Sequence, residues 1–117
     1  MKKLRDFYRL TGSDSDEIIN RFNGNPETVK RFVLKFPSDN SFSRLKAFLT
    51  VNDTQEAFRA AHTLKGICAN LGFTRLYRLA SDITELLRSE KSGEAKTLFP
   101  KLETEYLHVL ESMKLIF

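Results

Sequence analysis

The chain of 117 residues holds one cysteine, no tryptophan, three prolines and five glycines. A lone Cys68 excludes an internal disulfide. It suits a reducing compartment, so the expected location is cytoplasmic. No apolar run approaches the ~18 residues that a membrane-spanning helix needs, which excludes membrane insertion. The opening MKKLRDFYRL has two lysines but no apolar core behind them, so the pattern of a secretion signal is missing. Charge of one sign is missing too. Nineteen basic residues are interspersed with fifteen acidic ones, for a net charge of +4. A nucleic-acid binder concentrates its basic residues on one face, so nucleic acid is not an expected partner and the charge serves solubility. Runs of alternating apolar residues bounded by turns, the mark of strands, are absent as well.

What is present is helical spacing, repeated along the chain. Hydrophobic residues make up 41% and charged residues 29%, the balance of a soluble domain able to bury a core without staples. The length fits one domain, residues 1–117, with short helical segments over 1–24 and a bundle core over about 26–117. Leu4 to Leu10 forms a first short helix. Ser13 or Asp14 caps a second through about Phe22, closed by Asn23-Gly24-Asn25. Asn25-Pro26 reads as an N-cap followed by proline at the first helical position, with Val29, Phe32, Val33 and Phe36 behind it. Pro37 and Ser38-Asp39-Asn40 break the chain before a helix marked by Phe42, Leu45, Phe48 and Leu49, which ends near Asn52. Asp53 or Thr54 starts the next helix, and Gly72 stops it. Thr74 is the expected cap of a helix with Leu76, Leu79, Ala80, Ile83, Leu86 and Leu87 as its apolar stripe. Ser92-Gly93 reads as a turn. The last helix carries Leu98 through Met113, and Pro100 either kinks it or marks its start. Short connections between amphipathic helices favour antiparallel neighbours. The expected fold is all-α: an antiparallel four-helix bundle with short extra N-terminal helices.

The helix from about residue 54 to 72 holds the one arrangement with chemical content. With His62 set at zero and ~100° per residue, Ala57, Ala60, Ala61, Leu64, Ile67, Cys68 and Leu71 fall between roughly 140° and 260°. His62 faces directly away from that core stripe. Beside it stand Gln55, Phe58, Lys65, Gly66 and Ala69, with Arg59 a little further round; Phe73 joins them only if the helix runs past Gly72. This face lacks the usual solvated mix of Glu and Lys. Glycine in a helix interior costs about 1 kcal/mol relative to alanine. A partner needing close access to the imidazole accounts for an outward Gly66 better than packing inside the chain does. Imidazole is the side chain that is largely neutral, and so nucleophilic, near neutral pH. Lys65, three residues on, lies beside it on the helix. A phosphoryl group landing on His62 would bring up to about two negative charges, which Lys65 would offset. A lone helix histidine is by default an ordinary surface residue. No His, Cys or carboxylate stands four residues from His62, so metal binding is not expected. A Ser/His/Asp nucleophile has no glycine-flanked serine to support it. His108 falls on the outer side of its helix and reads as solvent-exposed.

AHTLKGICANLGF, residues 61–73, resembles the signature of histidine-containing phosphotransfer (HPt) domains: Ala-His-Thr-Leu-Lys-Gly, small residues, then Asn-Leu-Gly. The match is dense over about residues 57–73, and a looser resemblance runs from about Asp14 to Glu90. The resemblance implies that His62 accepts a phosphoryl group from a receiver-domain aspartyl phosphate and passes it to another receiver, with Lys65 stabilising it and Gly66 giving access. It implies a carrier without kinase activity of its own and without an intrinsic cofactor, the Mg²⁺ belonging to the receiver. The implied partners are response-regulator receiver domains, with a hybrid sensor kinase as a further candidate; a monomer is the default. Gln55, Phe58, Arg59, Ala69 and Phe73 are the expected docking surface. Phe58 stands where the family is often polar. The family often supplies a glutamine or glutamate near the imidazole from the facing helix, where Asp82, Thr84 and Glu85 are available here. The alternative is a non-catalytic helical adaptor that binds a signalling partner through the same surface.

Overall fold

Three side-chain oxygens set the starts of three helices. In the computed structural model, which describes residues 2–117, Asp14 accepts from the amide of Asp16, Asn25 from Thr28 and Asp53 from Glu56. They open α2 (Ser15–Arg21), α3 (Pro26–Lys35) and α5 (Thr54–Leu71). Before them runs α1 (Lys2–Leu10). A 3-10 turn over Phe36–Ser38 leads from α3 to α4 (Ser41–Thr50), and α6 (Thr74–Arg88) and α7 (Ser92–Ile116) complete the chain. Among the described residues there is no strand.

Several helix ends share one device. Gly72 sits in the left-handed region with φ +73°; its amide reaches the Ala69 carbonyl, and the Phe73 amide reaches that of Cys68. This satisfies two carbonyls that the helix leaves without partners. Asn23, Asn52 and Glu90, each with φ near +60°, close α2, α4 and α6 with the same pair of bonds. Two sequence expectations change here. The last turn lies at Ser89–Lys91, and Gly93 is inside α7 rather than in a turn. The N-cap position of α6 is Phe73, which offers no side-chain bond, and Thr74 is already helical. The Ser13 hydroxyl, 3.5 Å from the Thr74 amide, stands in from another part of the chain. Pro100 neither starts nor ends α7, which runs through it. The proline is exposed, so the carbonyl it leaves unpaired one turn earlier can be met by water.

The helices α4, α5, α6 and α7 pack in chain order. The α4 face closes onto α7: Phe42 stacks on Tyr106 at 3.9 Å and on Phe99 at 5.5 Å, Lys46 pairs with Glu103 at 2.7 Å, and Asn52 meets Lys96. A line of aromatic rings continues inward, from Tyr106 to Phe36 (5.6 Å), to Phe73 (5.0 Å), to Phe7 (5.8 Å). The N-terminal helices are anchored over the α5–α6 turn. The Tyr8 hydroxyl donates to the Leu71 carbonyl at 2.6 Å, Arg21 to the Ala69 carbonyl at 2.6 Å, and Arg75 to the Leu10 carbonyl at 2.9 Å. Ile18 packs where a Cβ on Gly72 would stand.

Candidate functional site

Helix α5 buries Ala57, Ala60, Ala61, Leu64, Cys68 and Leu71, as the angular reading predicts, with Ile67 half-buried at the edge. The small residues in this stripe let the neighbouring helices approach, and the opposite side stays in solvent. His62 is exposed there, together with Gln55, Arg59 and Gly66; Phe58, Lys65 and Ala69 are half-buried. The imidazole is open to solvent on the side away from Phe58. A Cβ built on Gly66 meets nothing within 4 Å, so no contact inside the described chain requires glycine. No carboxylate among the described residues lies within ion-pair distance of Lys65. The site therefore has an exposed imidazole, an unneutralised cation one turn on, and open space.

The imidazole has one aromatic neighbour. Phe58, one turn earlier, lies nearly parallel to it, at 11° and 6.0 Å between ring centres. The Arg88 guanidinium of α6 stands 5.1 Å from the centre of the Phe58 ring, and Glu85 holds Arg88 at 3.3 Å. Arg59, by contrast, is engaged by Glu56 at 3.0 Å.

The Hpt domain family model matches residues 37–113. The chain belongs to the Hpt domain family. No curated protein and no solved structure gives a significant match. The matched region takes in α4, α5, α6 and most of α7, and so contains His62, whereas α1–α3 lie outside it. Hpt domains serve histidine phosphotransfer in phosphorelays, as phosphocarrier modules rather than kinases, in contact with receiver domains. Among the described residues, no helix is long and apolar enough to cross a membrane.

Within this Hpt domain, two of the expected site residues lie elsewhere. Phe73 is only 1% exposed. The left-handed turn at Gly72 ends α5 and swings Phe73 inward, against Phe7, Tyr8 and Phe36. It is a core residue and cannot dock a partner. Thr84 is fully buried, and its hydroxyl donates to the Ala80 carbonyl at 2.7 Å. It belongs to the apolar stripe of α6, where a hydroxyl that bonds back one turn is satisfied without water. The stripe is centred on Leu76, Ala80, Ile83, Thr84 and Leu87, with Leu79 and Leu86 half-buried at its margins. Asp82 and Glu85 are exposed, and of the two Glu85 is tied through Arg88 to Phe58.

Sequence reasoning missed the grip of Arg88 on Phe58. It also placed Phe32 with the apolar face of its helix. Phe32 is 44% exposed, 5.5 Å from Phe22, and lines a groove of about 710 Å³ with Arg21, Lys35, Ile67 and Asn70. Spacing alone could not find either feature, since both depend on how separate helices meet. The buried Cys68 thiol is pushed well above its ordinary range by burial, with the Asp39 carboxylate adding to the rise, so it is unsuited to act as a thiolate ligand or nucleophile. Among the described residues, no three His, Cys, Asp or Glu side chains cluster as a metal site requires. His108 is exposed and reaches the Leu10 carbonyl at 2.9 Å.

Proposed function

We propose that His62 is the phosphoacceptor of a phosphorelay carrier. The observation that supports this most directly is an exposed imidazole beside an unpaired Lys65 and an open Gly66, inside the segment matched as an Hpt domain. The lone pair of an unprotonated ring nitrogen attacks the phosphorus of a receiver's aspartyl phosphate. The new N–P bond forms as the P–O bond breaks, and the aspartate leaves as a carboxylate with the electron pair. The proton on the second ring nitrogen remains or exchanges with water. Run in reverse against a second receiver, the same step passes the group on. Lys65 stabilises the phosphoryl charge in the transition state and on the ring, a contact worth about 1 kcal/mol in water and up to ~4 where partly shielded. Gly66 leaves room for the incoming aspartate. Gln55, Arg59 and Ala69 form the docking rim, with Arg78 a further cation for the acidic pocket of a receiver.

On this reading the carrier has no cofactor of its own, the Mg²⁺ of the transfer sits on the receiver, and the protein works as a monomer in the cytoplasm, with residues 1–117 acting as one domain. The contacts of α4 with α7 run in opposite chain order, which supports an antiparallel four-helix bundle of α4–α7 overlaid by α1–α3. His62→Gln tests the proposal. Mixed with a phosphorylated receiver, the variant should stay unlabelled and keep the wild-type melting temperature, because an exposed side chain contributes little to folding. Labelling at the wild-type rate would refute it, and a pathway indifferent to His62→Ala would point to the adaptor reading instead.

A further inference from the structure

We infer that Phe58 is a positioning residue for His62, braced from the neighbouring helix by Arg88. This rests on His62 being the phosphoacceptor. Residues four apart on a helix lie one above the other, and side chains lean toward the N-terminus, so His62 naturally reaches back over Phe58. The two rings are nearly parallel at a separation where offset stacking is favourable. A pair on one helix face is by itself a loose contact. Here the Phe58 ring has a second support: it is half-buried, the Arg88 guanidinium of α6 stands 5.1 Å from its centre, and Glu85 pairs with Arg88 at 3.3 Å. Of Asp82, Thr84 and Glu85, the α6 residues expected near the imidazole, Glu85 alone is tied to this chain of contacts, through Arg88 and Phe58 rather than on the ring itself.

An exposed histidine otherwise samples several rotamers, and only some present a ring nitrogen to an incoming phosphorus. Restricting it before the encounter removes an ordering cost from the transfer step. Phe58 thus acts on the chemistry, not on the affinity for the receiver. That separates this role from the docking role expected from sequence.

Phe58→Leu removes the aromatic plane and keeps a good helix former. Under saturating phosphorylated receiver, single-turnover transfer to this variant should be about three- to tenfold slower than to wild type, with the half-saturating receiver concentration unchanged. Phe58→Tyr should restore the rate. Arg88→Met keeps the Phe58 ring and removes its brace, and should slow the same step by about twofold. In the free protein, nuclear Overhauser contacts between the ring protons of residues 58 and 62 should appear in wild type and Phe58→Tyr. Missing contacts in wild type, an unchanged saturating rate in both Phe58→Leu and Arg88→Met, or a loss confined to half-saturation would overturn the inference. None of these outcomes bears on whether His62 is the acceptor, which the labelling of His62→Gln decides separately.

Discussion

At the scale of single residues, Gly66 is the most informative position after His62. Its backbone is ordinary α-helix and its surroundings are open, so alanine would fit and would suit the helix better by up to about 1 kcal/mol. Gly66→Ala should therefore raise the melting temperature while slowing phosphotransfer, and Gly66→Leu should slow it further. A stabilised variant with undiminished transfer would show that glycine is not kept for access. Lys65→Ala should slow transfer by roughly tenfold, about 1.4 kcal/mol, which lies between the water and the partly shielded values of such a charge contact; a rate equal to wild type would remove Lys65 from the mechanism. The direction of His62 was legible because a single helix carries its own angular rule. Phe73 was not, because the outcome hung on which way the chain turned after Gly72. Thr84 was not, because a threonine that bonds back to its own helix can sit in a core stripe that composition assigns to leucines.

At the scale of elements, the sequence punctuation was readable where a residue type has a dedicated conformation. Asn25-Pro26, Asn52 and Gly72 each do what their chemistry favours. Glu90 adopts the same left-handed conformation as Gly72, yet nothing in a glutamate announces it. The nearby Gly93 drew the turn three residues too far along. The hairpin of α5 and α6 is the element that sets the level of Phe58 against Arg88, and Gly72 is its pivot. Gly72→Ala would force a Cβ into the left-handed region and into the Ile18 side chain. The expected cost is about 2–4 kcal/mol in denaturant unfolding, from backbone strain and overpacking together. A variant as stable as wild type would mean that α2 does not bear on the turn as described.

At the scale of the whole molecule, an all-helical chain was evident from periodicity, but the way α1 and α2 close over the hairpin end was not. Those helices contribute Phe7, Tyr8 and Ile18 to the core and a hydroxyl to the last carbonyl of α5, contacts between residues some 60 positions apart in sequence. Local pattern carries no information about such pairs. Burial also couples the fold to pH at the alkaline end. The Cys68 thiol, ordinarily near 9.0, and the Tyr8 phenol, ordinarily near 10.0, are both pushed up by desolvation. The unfolded chain releases these protons and the folded chain keeps them. Their contribution is thus full below the ordinary values and is lost as pH rises through and beyond them, at up to about 1.4 kcal/mol per pH unit for each group. Thermal unfolding between pH 7 and 10.5 should show this decline. Cys68→Ala should make it shallower above pH 9, whatever the variant loses at neutral pH; identical slopes would mean the thiol is not sequestered. Two histidines are exposed, His62 and His108, and the proposed function requires that His62 carry the phosphoryl group. The direct measurement is localisation of an acid-labile phosphoryl group on the intact protein after incubation with a phosphorylated receiver. Phosphorylation of His62 with His108 unmodified is the predicted result, and a phosphoryl group on His108, or on neither, would contradict it.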